Sequence, residues 1–265
     1  MKKSEKDEIV LARNYKVVKS NDIIREARYE LSITELKVFS FVLSKIKPSD
    51  IAFQEYAFTV NEICDVLGMG KNNGMNIKQI KKALKQLRDK SFYLQLDDGS
   101  ETTVGWLDKV WINAGSGKVR VRMDEDLQKY VVGLFENFTQ YQLLCVLPMR
   151  SSYSIRIYEM LKSYAYAGSH VFDIDDMKRM LGCTHYKRFP DFRRKVLEIA
   201  TREINQYTDL EISWEPVKKG QKVEAVEFQI KQLDVWGQMK RQTKAHEALD
   251  NRQMTIADFM GKDNE

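Results

Sequence analysis

The segment FDIDDMKRMLG at residues 172–182 decides the fold, because it repeats an earlier segment, FTVNEICDVLG, at residues 58–68. Apolar residues occupy the same places in both segments, which lie 114 residues apart and each end on a glycine. The second position is Thr59 in one copy and Asp173 in the other, and both residue types cap helix N-termini. Each segment therefore predicts a short capped helix, and the repeat predicts two copies of one structural unit.

A strongly amphipathic helix is predicted after the first copy, over residues 76–90. Ile77, Ile80, Leu84 and Leu87 form its apolar stripe, which should pack against a core. The opposite side is basic and carries Lys78, Lys81, Lys82, Lys85 and Arg88. Such a concentration of cations is typical of phosphate binding. The alternative is a solvated charged face, which is the commoner case for a single helix.

A second basic helix is predicted after the second copy, from Pro190 to Asn205, with the first-turn residues proline and aspartate that favour a helix start. Its apolar stripe consists of Phe189, Phe192, Val196, Ala200 and Ile204. Its cations are Lys187, Arg188, Arg193, Arg194 and Lys195. Arginine can contact guanine through two hydrogen bonds, whereas lysine acts as a point charge. We therefore expect the second helix to read bases and the first to bind mainly the DNA backbone.

A strand pair with a glycine-containing turn follows each basic helix. The first hairpin, within residues 104–123, has its turn at residues 114–117, followed by Lys118 and Arg120 on the polar side of its second strand. The second hairpin has Lys218, Lys219 and Lys222 around Gly220. A helix, a helix-turn-helix and a β-hairpin in this order predict a winged helix whose wing cations lie over phosphates. The predicted fold is therefore α+β, mainly helical, with two tandem winged-helix domains.

The pattern also predicts five regions along the chain. They are a flexible N-terminus (1–14), a first winged-helix domain (15–125), a helical connector (126–150), a second winged-helix domain (151–235) and a polar tail (236–265). We expect the first domain to contribute mainly DNA backbone contacts, and the second to provide sequence-specific binding.

The composition argues against other classes of protein. The net charge of +5 is only mildly basic, so the clustering of cations, and not their total, favours nucleic acid. Three separated cysteines predict buried thiols in a reducing compartment, and no segment approaches 18 uncharged apolar residues. The three histidines are isolated, and Asp173 with its acidic neighbours is better explained as a helix cap than as a metal site. We therefore expect a cytoplasmic protein without enzymatic activity, cofactor, metal or membrane partner.

Three stretches of the sequence resemble motifs of a known protein family, and they occur in the same order as in that family. They are residues 17–24 with 27–32 and Glu35, residues 152–161, and residues 189–195 followed by Glu203 to Asn205 and the turn at Lys218 to Gly220. In these stretches the chain is similar to the replication initiators of theta-replicating plasmids, the iteron-binding RepE and Pi type. The resemblance implies two winged-helix domains and no intrinsic enzymatic activity.

The same resemblance implies particular partners. Members of this family bind directly repeated sites in double-stranded origin DNA as monomers and recruit host initiator and helicase proteins. Many also bind an inverted repeat at an operator as homodimers in equilibrium with monomers, and so repress their own gene. The resemblance implies that the first domain (15–125) forms the dimer interface. The family's recognition helix in the second domain corresponds here to the region of Arg188, Arg193 and Arg194.

Two alternatives remain open from the sequence. A winged-helix transcriptional repressor without a replication role needs the same grooves, and a single palindrome beside the gene would favour it. A protein-binding adaptor could use winged helices for protein contacts, and a DNA affinity insensitive to salt would favour that function.

Overall fold

The computed structural model describes residues 3–47, 50, 52–69, 74–96 and 98–251. The α-helices are α1 (Lys3–Arg13), α2 (Asn21–Arg25), α3 (Ile33–Leu43), α4 (Val60–Val66), α5 (Gly74–Asp89), α6 (Ser152–Ser163), α7 (Ile174–Met180), α8 (Phe189–Phe192), α9 (Glu198–Tyr207) and α10 (Val235–Asp250). The strands are β1 (Lys16–Ser20), β2 (Tyr56–Thr59), β3 (Ser91–Gln95), β4 (Glu101–Gly105), β5 (Leu107–Ile112), β6 (Lys118–Met123), β7 (Phe138–Gln142), β8 (Ser169–Asp173), β9 (Leu210–Lys219) and β10 (Lys222–Gln232).

The two repeated segments adopt the same structure, as the sequence predicts. In each of them a strand, β2 or β8, runs directly into a helix of seven residues, α4 or α7. The side chains of Thr59 and Asp173 each accept a hydrogen bond from the backbone N–H three residues later, at 3.0 Å in both cases. The terminal glycines Gly68 and Gly182 have φ values of 72° and 65°, in the left-handed region that favours glycine. The segments are therefore two copies of one unit, and Asp173 is a helix cap.

Each unit closes with a three-stranded antiparallel sheet. The strand order is β2-β6-β5 in the first unit and β8-β10-β9 in the second. The hairpins β5–β6 and β9–β10 are the wings, and they follow the basic helices in both units. Helix α3 precedes the first repeated segment as α6 precedes the second. The prediction of two tandem winged helices is confirmed.

The first basic helix is α5, and it packs as predicted. It begins at Gly74, two residues before the predicted start, and contacts α3, α4 and β5. Ile80, Leu84 and Leu87 are fully buried on the apolar side, while Ile77 is partly buried. This burial fixes which side of α5 remains available to a ligand.

The second basic helix departs from a regular α-helix. It consists of α8, a π-helical turn at Arg193–Leu197, and α9 in direct succession. The predicted stripe residues Phe192, Val196, Ala200 and Ile204 are all buried. They recur every four residues, and in an α-helix of 3.6 residues per turn such a stripe drifts by roughly 40° at each step. The wider π-helical turn offsets part of this drift and keeps the stripe facing the core.

The prediction of a helical connector over residues 126–150 is wrong. The segment contains a 3₁₀ helix at Glu125–Tyr130, the strand β7 and a 3₁₀ turn at Leu143–Cys145. Strand β7 pairs with β1 in an antiparallel sheet along the whole length of both strands. Strand β7 has the sequence FTQYQ, whose aromatic and β-branched residues favour a strand, and pairing with a strand more than a hundred residues away stabilises this conformation.

The two chain ends also differ from the predictions. The N-terminus, predicted to be flexible over residues 1–14, contains α1, and Arg13 at its end is buried. The predicted polar tail contains α10, on which Ala245 and Leu249 are buried. These helices were not predicted because their few buried apolar residues do not form a stripe at helical spacing. Residues 252–265 of the predicted tail lie outside the described residues.

A buried charged network joins α6 to the first unit. Glu159 of α6 is fully buried, and its Oε1 accepts hydrogen bonds from Lys19 Nζ at 2.6 Å and Tyr141 Oη at 2.5 Å. The guanidinium of Arg156 lies 3.6 Å from Glu159 Oε2 and donates to the carbonyl of Ala27 at 3.2 Å. Burial alone would raise the pKa of Glu159, but the charges of Lys19 and Arg156 outweigh it and lower the pKa.

The three thiols should be unreactive in the folded protein. Cys64, Cys145 and Cys183 are free and buried, as predicted, and burial raises the pKa of each thiol to about 12. Since the thiolate is the reactive form, we expect labelling at pH 8 to be at least about a hundredfold slower in the native protein than in urea. A chromogenic disulfide reagent measures this directly. A single fast native thiol would contradict the described packing around that cysteine.

Candidate nucleic-acid interface

The predicted cations of the first basic helix lie together on its outer side. Lys78, Lys82, Lys85 and Arg88 are exposed, and Lys81 is half-buried. Asp89 pairs with Lys85, and one of its carboxylate oxygens lies 3.4 Å from Arg88 Nη1. The hydrogen bond from Lys85 is the main cause of the lowered pKa of Asp89. Exposed ion pairs of this kind contribute little free energy, so a DNA phosphate can replace the Asp89 carboxylate as the partner of these cations at small cost.

The two predicted cations of the first wing are exposed but differ in their surroundings. Lys118 begins β6 beside the turn, where it pairs with Thr59 of β2. Arg120 lies on the outer face of the sheet, 3.0 Å from Glu55 and with its guanidinium 5.0 Å from the centre of the Trp111 ring. The structure therefore places Lys118 at the tip of the wing, and Arg120 in an ion pair on the face of the sheet.

Asp191 organises the arginines at the start of the second basic helix. Its two carboxylate oxygens accept from Arg188 Nε at 3.1 Å and from Arg194 Nη2 at 3.3 Å. Arg193 pairs instead with Glu198, at 3.1 Å. Because one carboxylate contacts both Arg188 and Arg194, these two guanidinium groups point to the same side of the helix, while Arg193 is directed elsewhere.

A cleft of about 960 Å³ separates the second basic helix from its wing. Four of the predicted cations line it: Lys187, Arg193, Lys218 and Lys222. Asp173, Asp175 and Glu224 also line the cleft and reduce its positive charge. A helix and a wing that carry cations on facing sides can hold a phosphate backbone between them.

A second, smaller cleft of about 460 Å³ lies at the start of the second basic helix. It is lined by His185, Tyr186, Lys187, Arg188, Asp191 and Lys195. Lys187 lines both clefts, whereas Arg194 lines neither of them. Lys219 is exposed at the end of β9, beside the wing turn.

Two structural features around these cations were not predicted from the sequence. The π-helical turn contains Arg193, Arg194 and Lys195 and changes how they project from the helix. The four-residue spacing of the apolar stripe is the one feature of the sequence that could have indicated this π-helical turn. Trp111, which has Lys109, Arg120 and Arg122 around its ring, was also missed. Cross-strand register brings these side chains together, and the sequence does not reveal it.

In the described part of the chain, no group of three or more His, Cys, Asp or Glu is placed to hold a metal ion. The helices there are also too short or too polar to cross a membrane.

Comparison with known proteins supports the same fold. A solved structure of Pi initiator protein in complex with iteron DNA matches with a TM-score of 0.69 and 17% identity, over 84% of this chain and 99% of that one. A replication initiation protein of Escherichia coli is 23% identical over 253 residues, covering 91% of this chain and 75% of the relative. An uncharacterized 27.6 kDa protein of Escherichia coli is 23% identical over 218 residues, covering 76% of this chain and 89% of the relative.

Two family models cover most of the chain. The model described as "Initiator Replication protein, WH1" matches residues 16–162. The model described as "Initiator Rep protein, WH2" matches residues 173–230. The two matches include both capped helices of the repeated segments, both basic helices and both wings. The chain therefore belongs to the family of winged-helix initiator replication proteins.

Proposed function

We propose that this protein initiates plasmid replication by binding directly repeated origin sites, or iterons, in double-stranded DNA. One observation carries the proposal: two winged-helix units in one chain each carry an exposed cluster of cations on the basic helix and on the wing. A single basic helix is ambiguous, but the same arrangement in both units is what a two-groove DNA site requires. The similarity to the Pi initiator protein in complex with iteron DNA supports the choice of ligand.

The two units have different roles in this proposal. Lys78, Lys81, Lys82, Lys85 and Arg88 of the first unit, with the wing residues Lys118 and Arg120, bind phosphates. In the second unit Arg188 and Arg194, held by Asp191, read base edges in a major groove. Lys187, Arg193, Lys195, Lys218, Lys219 and Lys222 hold the backbone on either side. Each repeat then spans two successive major grooves, about 10 base pairs apart.

The remaining parts of the proposal concern assembly. The protein acts without catalysis or cofactor of its own, in the cytoplasm, by bringing host initiator and helicase proteins to the origin. The first unit also forms a homodimer, in equilibrium with the monomer, which binds an inverted repeat and represses the gene. Family membership supports these assignments, and direct measurement of self-association and host-protein binding would test each of them.

An origin-region footprint tests the proposed function. We expect protection of several direct repeats beside the gene at low protein concentration, and of an inverted repeat under conditions that favour the dimer. Protection of a palindrome alone would favour a repressor without a replication role. Binding of neither site, together with capture of protein partners, would favour an adaptor.

Lys82→Ala tests the role of the first unit. Lys82 is exposed on α5, and loss of one phosphate contact should lower the affinity for cognate and for random DNA by a similar factor. The slope of log K against log salt should become shallower by about 0.9. Lys244→Ala removes the same charge from an exposed position of α10 and should leave both quantities unchanged. A loss confined to the cognate site would contradict the assignment of Lys82 to the backbone.

A further inference from the structure

Helix α10 contacts both winged-helix units. Its 16 residues span about 24 Å at 1.5 Å per residue. In the middle of α10, Arg241 Nη1 donates to the carbonyl of Ile204 in α9 at 3.3 Å and to that of Leu210 at the start of β9 at 3.1 Å. Gln242 Nε2 donates to Gln142 Oε1 of β7 at 2.8 Å. Its last turn reaches the first unit.

The last turn of α10 packs against the end of α4. Leu249 is 1% exposed, and its carbonyl oxygen lies 2.9 Å from the position that a Cβ on Gly68 would occupy. Any side chain at residue 68 would therefore collide with α10, and the φ of 72° there also favours glycine. This glycine allows the close approach of α10 to the first unit's helix-turn-helix.

Arg13 joins three elements at the same place. It is 3% exposed and donates to the carbonyls of Val66 at 3.0 Å and Asp65 at 3.2 Å, the last two residues of α4. Its Nη1 also donates to Asp250 Oδ1 of α10 at 2.8 Å. Carbonyls at a helix C-terminus lack partners within the helix, and a cation there is favourable. Arg13 thus ties α1, α4 and α10 together.

We propose that α1 and α10, which we call the terminal clasp, act together with the buried contacts of α6 to fix the relative orientation of the two helix-turn-helix units for DNA binding. The clasp contacts α4, which packs on the first basic helix, and the end of α9, which belongs to the second. Both helices of the clasp lie outside the ranges 16–162 and 173–230 that match the family models. Arg13, Leu249 and Asp250 are accordingly positioning residues, and they need not touch DNA. The inference rests on the proposed function only for its effect on origin binding.

A rigid connection raises affinity for a two-groove site because, once one unit binds, the other is already aligned. Its loss should therefore weaken binding to a complete repeat and spare binding to a half-site that only the second unit contacts. Loss of the rigid connection should also reduce the affinity penalty for inserting two base pairs between the two halves of the repeat. Units that move more freely can adapt to the altered spacing.

Asp250→Lys is the test variant, and Glu247→Lys is its matched control. Both replace an acid with lysine in the last turns of α10, but Glu247 is exposed on the same helix, away from the contact with Arg13. Spin labels at Asn61→Cys on α4 and Gln206→Cys on α9 occupy exposed positions in the two units. We expect a broadened distance distribution for Asp250→Lys and an unchanged one for Glu247→Lys, in the absence of DNA.

In the binding experiment, Asp250→Lys should lower the affinity for the complete repeat about tenfold and leave the affinity for the half-site unchanged. Leu249→Ala should act in the same direction, and thermal unfolding identifies any global loss of fold. Equal effects of Asp250→Lys and Glu247→Lys, an equal loss on the half-site, or an unchanged distance distribution would overturn the proposal. If the wild-type protein binds no repeats, the proposed function fails, and the distance measurement still decides whether the clasp fixes the units.

Discussion

Arg194→Ala should weaken binding to the cognate repeat by on the order of 1–3 kcal/mol and relax base preference at one position. Asp191 holds the Arg194 and Arg188 guanidinium groups on one side of the second basic helix, which is the preorganisation that base reading requires. Affinity for random DNA should change little. Competition binding on a set of single-base variants of the repeat measures both effects.

Arg193→Ala and Arg202→Ala provide the comparison. Arg193 lies in the cleft with Lys187, Lys218 and Lys222, so its loss should weaken cognate and random DNA alike. Arg202 is exposed on the distal part of the same helix, and its removal should change neither affinity by more than a few tenths of a kcal/mol. If Arg193 carried the base preference and Arg194 did not, the proposed division between reading and clamping would be wrong.

Glu159→Ala should lower the free energy of unfolding by about 3–5 kcal/mol. The carboxylate is fully buried and accepts hydrogen bonds from Lys19 and Tyr141. Its removal leaves the buried cations Lys19 and Arg156 without their counter-charge. Denaturant titration measures the loss. Glu198→Ala removes a half-exposed partner of Arg193 and should cost less than about 1 kcal/mol. Similar losses for the two variants would contradict the importance of the buried network.

The same network predicts a pH dependence. The pKa of Glu159 is lowered in the folded protein, so the folded state holds its proton less tightly than the unfolded chain. Its stabilising contribution is therefore complete above the ordinary value of 4.5 and is lost as pH falls through the lower folded value. The wild-type protein should lose more stability between pH 5 and pH 3 than a Glu159→Gln variant does.

The sequence predicted the elements whose signals are local. The capping residues Thr59 and Asp173, the glycines after them and the apolar stripes of the basic helices each depend on residues a few positions apart. The structure confirms them because nothing in the tertiary fold opposes these preferences. The order of these elements was sufficient for the winged-helix prediction.

The remaining features depend on distant contacts. Strand β7 exists because β1 pairs with it, and α10 is held by Gly68 and Arg13 rather than by a stripe of its own. The residues of the candidate interface were predicted, but their grouping was not. Which arginine shares Asp191, and which faces the wing, depends on a π-helical turn that periodicity alone does not resolve.

Hydroxyl-radical footprinting of the wild-type protein on a single origin repeat tests the central claim most directly. Two winged helices that act on one face of the duplex predict backbone protection flanking two successive major grooves, about 10 base pairs apart. The Lys82→Ala variant should lose protection at one of them, and the Arg194→Ala variant should lose specificity at the other. Protection around one groove only, or unchanged by either variant, would contradict the account.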